Sequence, residues 1–259
     1  MPRKPRIYSS TGIYHIVLRS VNHHIIFEED ADFQKFLYLL SDCKMKYDLT
    51  IYAYCLMNNH IHLLLKSAPE NLSSAFQSLG TKFVRWYNTK YVRTGHLFQE
   101  RFYSTPIEND RSFLAVLIYI HNNPVSAEMC RYPSEYRWSS YNSYYGQTNP
   151  LINTTLAFEI AGSKEQLYSF FMREYNATNV AIDTHEFENV NQFFDDEKAL
   201  KIFKSVTKLS STTAASLLPK KERNLYVRIL RKKGLTIKQV ARFMDISPTT
   251  VKRLCKMDH

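Results

Sequence analysis

The sequence predicts an α+β protein: a ferredoxin-like antiparallel sheet with helices on one face, then an all-α C-terminal region containing a helix-turn-helix. Three observations predict it. Residues 1–150 alternate strand and helix patterns in the order β-α-β-β-α-β-α, the order of a split βαβ sheet. The stretch after 150 reads mostly helical. Residues 219–259 carry helix-cap signals at helix-turn-helix spacing, on 12 Lys/Arg against 3 Asp/Glu, a net +9.

GIYHIVLRSV (12–21) alternates and is rich in β-branched residues, so it reads as a strand. In 30–47, Phe33, Phe36, Leu37 and Leu40 fall at helical spacing. TIYAYCLM (50–57) is a second strand, NNH a short turn, and IHLLLK a third strand. Leu72, Phe76, Leu79, Phe83 and Trp86 mark a long amphipathic helix. GHLFQERFYSTPIE (95–108) reads as a fourth strand with a kink or bulge. DRSFLAVLIYIHNN (110–123) reads as a helix capped by Asp110 and ended by Pro124, since the residue before proline is biased away from helix.

GQTNPLIN (146–153) looks like a linker, and the helical patterns after it carry no recognisable chemistry, which suits a spacer or packing layer. In the basic tail one helix ends near Gly234. A second starts at the N-cap Thr236, with Ile237, Val240, Ala241 and Met244 inward. Ser247 caps a third with Pro248 at its first position, where the missing N–H costs nothing. The expected division is 1–145, 146–218 and 219–259. The last helix of such a unit enters a major groove, so Thr249, Thr250, Lys252 and Arg253 form its expected DNA-facing side. A net +9 on that segment favours a polyanion.

Composition excludes several classes. Six glycines and the absence of GxGxxG and GKS/GKT patterns argue against phosphate-cradling loops. No apolar run approaches the length of a membrane span. MPRKPRIYSS lacks the apolar segment of a signal peptide. Cys43, Cys55, Cys130 and Cys255 are scattered without CxxC, as expected of reduced thiols in a cytosol.

His60 and His62 are i and i+2 on a strand, so they share a face. Two such imidazoles hold one cation or simply occupy a half-buried strand; HxH alone does not decide. Tyr119 and Asn123 are i and i+4 on one helical face, about 6 Å apart at Cβ. The amide offers a hard cation an oxygen, and the phenol offers a nucleophile. His15 reads as a strand packing residue, and His121 points away from Tyr119.

The strand HIH and the helix YIHNNP resemble the HUH single-strand transposases of the single-tyrosine class, most closely the REP-associated tyrosine transposases. GIYHIVLRS, YCLMNNHIHLLL, GHLFQERFYSTPIE, YIHNNPVSA and YRWSSY carry the likeness across residues 6–145. The resemblance implies the HUH nuclease fold. It makes His60 and His62 the metal pair, Asn123 an amide ligand of Mg²⁺ or Mn²⁺, and Tyr119 the nucleophile. The implied reaction is single-stranded DNA transesterification through a 5′-phosphotyrosine, on hairpin DNA, by a monomer or homodimer. One departure follows the first strand, where relatives often have Gly-Asn and this chain has Ser20, Val21 and Asn22. Arg19, Lys82, Arg85, Arg93 and Arg101 are candidate phosphate contacts. Trp86, Phe98, Phe102 and Tyr103 are candidate base-stacking residues, though each taken singly reads more readily as core and sheet packing. The rival reading is a non-catalytic, domesticated regulator that binds duplex DNA through its C-terminal helices. A nickase for replication or plasmid transfer shares the chemistry. A water-using metallohydrolase lacks a general base near HIH.

Overall fold

In a computed structural model of the protein, which describes residues 7–99, 101–176, 194–233 and 235–256, four strands form an antiparallel sheet in the order β2-β3-β1-β4. They are β1 (Ile13–Arg19), β2 (Thr50–Leu56), β3 (His60–Lys66) and β4 (Tyr103–Ile107). Alternation along the strands sorts their side chains between two cores. Tyr14, Ile16, Leu18, Ile61, Leu63 and Leu65 face α1 (Asp30–Lys46) and α2 (Pro69–Lys90). Those helices return Phe33, Phe36, Leu40, Phe76, Leu79 and Phe83 at the spacing the sequence predicts.

Ile13, Leu64 and Ile107 point the opposite way, onto Phe113, Leu117 and Ile120 of α3 (Asp110–Ser126). The expected layer of helices on one face therefore holds for α1 and α2, whereas α3 covers the other. The second face is too apolar to leave in water. A register shift between Ile51 and Ala53 turns both Tyr52 and Ala53 toward α3, which adds to that face.

Four local expectations are corrected. The N-cap of α3 is Asn109, whose Oδ1 accepts from the Ser112 N–H at 2.8 Å. The helix passes Pro124 and ends at Ser126. Glu128, at φ 55°, closes it in a Schellman arrangement: its N–H donates to Val125 O and the Met129 N–H to Pro124 O, both at 2.9 Å. The predicted strand at 95–108 pairs with the first strand in two pieces. Phe98 bridges Ser20, and only Tyr103–Ile107 forms β4, so the predicted kink lies between them. The expected linker at 146–153 is docked instead. Ile152 bridges Ile51, the Asn153 N–H donates to Ile51 O at 2.8 Å, and Lys44 Nζ donates to Pro150 O at 2.8 Å. Beyond it, α4 (Thr155–Ala161) and α5 (Lys164–Asn176) place Ala157, Ala161, Leu167 and Phe171 in the α3 core.

The rest of the described chain is helical: α6 (Phe194–Thr207), a 3₁₀ turn at Thr212–Leu217, α7 (Lys220–Lys232), α8 (Ile237–Phe243) and α9 (Pro248–Lys256). Ala199, Phe203, Val227, Leu230, Val240, Phe243, Val251 and Leu254 share one core, which Ile25 from the turn after β1 joins. The caps are those the sequence predicts. Thr236 Oγ1 accepts from the Gln239 N–H at 3.2 Å, Gln239 Oε1 from the Thr236 N–H at 2.8 Å, and Ser247 Oγ from the Thr250 N–H at 3.1 Å. Gly234, the predicted end of α7's pattern, lies outside the described residues. Among the described residues no helix is long and apolar enough to cross a membrane.

Candidate active site

The face of the sheet under α3 gathers the polar residues. β1 and β3 pair Arg19 with His60 and Val17 with His62, so His15, Arg19, His60 and His62 all point toward α3. α3 answers with Tyr119 and Asn123 one turn apart. Asn123 Oδ1 lies 3.4 Å from His60 Nε2, and its Nδ2 lies 3.4 Å from His62 Nε2. The Tyr119 ring stands edge-on to His62 at 5.5 Å and to His15 at 5.9 Å. The four residues that sequence spacing joined are thus one cluster.

His15 is the member that sequence reasoning missed. Its Nε2 is 3.1 Å from His62 Nδ1, and the two rings stack at 5.3 Å. The available signal was parity: His15 and Arg19 are i and i+4 on one strand, hence on one face. What the sequence lacked was the register that sets that face beside His62.

Burial governs the charges. It pushes His15 and His60 down to about 4, and His62 well below its usual value with help from the neighbouring imidazoles. It pushes the Tyr119 phenol up to about 12, against the opposing pull of a hydrogen bond from Asn123 and the charge of Arg19. At neutral pH the imidazoles are therefore uncharged and the phenol keeps its proton.

This donor set fits a divalent cation. His60 Nδ1 is 2.7 Å from Asn59 Oδ1, an acceptor, so the ring's hydrogen sits there and the Nε2 lone pair faces Asn123. The amide carries one oxygen and one NH₂ between two imidazoles, and in this orientation its oxygen meets the His60 lone pair. A cation shared by His60, His62 and the amide oxygen would remove that mismatch. Two ligands of one ion at about 2.1 Å, subtending about 90–109°, sit about 3.0–3.4 Å apart, which matches the observed spacing. Among the described residues no three His, Cys, Asp or Glu side chains converge to hold an ion, so an ion here would need a third protein ligand of another kind, and the Asn123 amide is the group beside both imidazoles.

The other predicted site residues divide. Arg19 lies at the cluster, its guanidinium 6.0 Å from the centre of the Tyr103 ring, and Tyr103 is 41 % exposed. Lys82 and Arg85 are exposed on α2, behind the sheet, where they line a groove with Lys35 and Trp86. The structure does not bring them to Tyr119. Arg101 is exposed between the two paired pieces before β4. Phe102 is buried against Phe76, and Phe98 and Trp86 pack on Phe83, so of the four aromatic candidates Tyr103 alone is exposed. On α9, Thr249, Lys252 and Arg253 are exposed, whereas the Thr250 hydroxyl is 2.9 Å from Ser247 Oγ in the helix cap. His121 is buried with its Nε2 2.8 Å from Ser140 Oγ, away from the cluster as expected.

Two segments of the chain match known families. Residues 8–123 match the family model described as "Transposase IS200 like", and residues 218–256 match "Helix-turn-helix domain of resolvase". The fold is similar to that of a REP-associated tyrosine transposase solved bound to a REP hairpin, with 17 % identity and a TM-score of 0.50, covering 59 % of this chain and 94 % of that one. A putative transposase from Deinococcus radiodurans R1 matches at 19 % identity over 47 % of this chain and 97 % of its own, with a TM-score of 0.34. No curated protein matches the chain. Residues 8–123 are thus similar to IS200-like transposases, and the same chain carries a C-terminal segment similar to a resolvase-type helix-turn-helix domain.

Proposed function

We propose that the protein is a metal-dependent single-stranded DNA transesterase that nicks and rejoins hairpin-forming strands through Tyr119. The observation that carries this reading is the single cluster in which Asn123 contacts His60, His62 and the Tyr119 hydroxyl. His60, His62 and Asn123 would hold Mg²⁺ or Mn²⁺, with Mn²⁺ the more tolerant of nitrogen ligands. Bound there, the ion supplies Lewis acidity and orientation to a phosphodiester.

The remaining work falls to the chain. Tyr119 is held by the helix edge-on to His62 and His15, which fixes its approach. Its oxygen forms a bond to phosphorus as the P–O3′ bond breaks. The electron pair leaves with O3′, which takes up a proton, and the phenolic proton is lost. The product is a 5′-phosphotyrosine and a free 3′-OH. Arg19 stabilises the phenolate and lies where a backbone phosphate would pass. The bond energy stays in the phosphotyrosine, so a returning 3′-OH reverses the step without ATP. Hairpin DNA is proposed because the similar structure holds a REP hairpin.

Labelled hairpin strands incubated with protein and Mn²⁺ test this. A covalent adduct that survives denaturation, requires the cation and vanishes in Tyr119→Phe is expected. An adduct that persists in Tyr119→Phe moves the nucleophile elsewhere. A second reading, a duplex-binding regulator acting through α9, is favoured by exposed Lys252 and Arg253. It predicts a biological effect that His60→Ala leaves intact.

A further inference from the structure

The cluster contains one imidazole that the proposed reaction does not use. His15 is 6 % exposed and lies diagonal to His62 across the β1–β3 pair, where Val17 is opposite His62 and His15 is opposite Leu64. Its Nε2 is 3.1 Å from His62 Nδ1. Two neutral imidazoles at that distance share one hydrogen, and two arrangements are open. If His15 donates, His62 carries its own hydrogen on Nε2, which then meets the Asn123 NH₂ at 3.4 Å, donor against donor. If His62 donates from Nδ1, its Nε2 lone pair accepts from that NH₂ and both contacts are satisfied. The second arrangement is the one that fits the amide as it is oriented, and the one that a cation shared by His60, His62 and Asn123 requires.

We infer that His15 is a positioning residue, whose Nε2 accepts the His62 Nδ1–H and so holds His62 with its Nε2 lone pair turned toward Asn123. Ligating histidines are usually held this way by a carboxylate, a carbonyl or water. Here a second imidazole does it, because the position opposite His62 Nδ1 is on the buried interior of the sheet. His15 is not itself a ligand of the site: its ring stacks on His62 with Nε2 committed to that contact, and no three His, Cys, Asp or Glu among the described residues converge on an ion. Its edge contact with Tyr119 at 5.9 Å makes the same ring a backing for the nucleophile. Both the tautomer and the effect on metal affinity rest on the reading of His62 as a ligand, and the tautomer is measured without metal.

The test uses the full chain as wild type, His15→Phe and His15→Gln. Phe keeps a ring but no acceptor, and Gln restores an acceptor oxygen. Ring ¹⁵N chemical shifts of His62, recorded without metal, report which nitrogen carries the hydrogen. The expected result is Nδ1–H in the wild type and in His15→Gln, with movement toward Nε2–H in His15→Phe. Mn²⁺ titration is expected to show affinity about 10–100-fold weaker for His15→Phe and largely recovered for His15→Gln. A wild-type His62 protonated on Nε2 overturns the inference with no variant needed. So does a His15→Gln chain as impaired as His15→Phe, which would assign the residue to ring packing. If wild type binds no Mn²⁺, or His62→Ala binds it equally well, the ligand reading falls, and the tautomer data alone then uphold or overturn the role of His15.

Discussion

Glu28 joins the sheet region to the helical region behind it, and replacing it by Gln should make the protein more stable at alkaline pH. Its side chain is fully buried, with Oε1 accepting from the Thr212 N–H at 3.1 Å and from Thr212 Oγ1 at 2.7 Å. Oε2 has no hydrogen-bond partner, and Lys204 Nζ is 3.8 Å from it. Burial raises the carboxyl from 4.5 to about 7, and the Thr212 hydrogen bonds and Lys204 only partly oppose that rise. An acid whose folded pKa exceeds its unfolded one holds its proton more tightly when folded. Stability therefore falls as pH rises from about 4.5 through about 7, and the loss is complete above that window. At about 1.4 kcal/mol per tenfold in proton affinity, the ionised carboxylate costs the fold about 3 kcal/mol. Gln has the shape of the protonated acid and can keep the Thr212 contacts. Thermal melts of wild type and Glu28→Gln should differ by about 5–10 °C at pH 8.5 and by little at pH 4.5. A difference that is absent at pH 8.5, or equal at both values, refutes the reasoning.

Three further outcomes are expected. Adduct formation should rise with pH from 7 to 9, since burial holds the phenol protonated and its attack requires loss of that proton; a flat profile removes phenolate as the attacking species. Thr236→Ala removes the side chain that accepts from the Gln239 N–H and should cost about 1 kcal/mol, read as faster amide exchange in α8 with α2 unchanged. Replacing Lys252 and Arg253 by Ala should weaken duplex binding and lower its log–log salt slope by about 2, and an unchanged slope takes α9 off the phosphates.

What the sequence disclosed follows from how local each signal is. α2 and α8 were legible because their periodicity and caps lie within one turn of the residues they govern: Thr236 and Gln239 meet within their own helix. The HIH pair was legible because strand parity is also local. Which face α3 would cover was not, since an apolar stripe does not say which side of a sheet needs covering. His15 stayed hidden for a related reason. Its parity was plain, but its partner depends on β1 lying beside β3 with Val17 opposite His62. The 146–153 stretch has the composition of a loop and behaves as one locally, yet its backbone pairs with Ile51, a contact set by tertiary packing. Lys82 and Arg85 have the chemistry of phosphate contacts, and only the placement of α2 behind the sheet separates them from Tyr119.

The central claim is that His60, His62 and Asn123 hold one cation beside Tyr119. Crystals of the protein grown with Mn²⁺, measured for anomalous scattering, test it most directly. The account predicts one strong peak within about 2.2 Å of His60 Nε2, His62 Nε2 and the Asn123 side-chain oxygen. A peak bound to other groups, or His60 and His62 left without one at a saturating concentration, would contradict it.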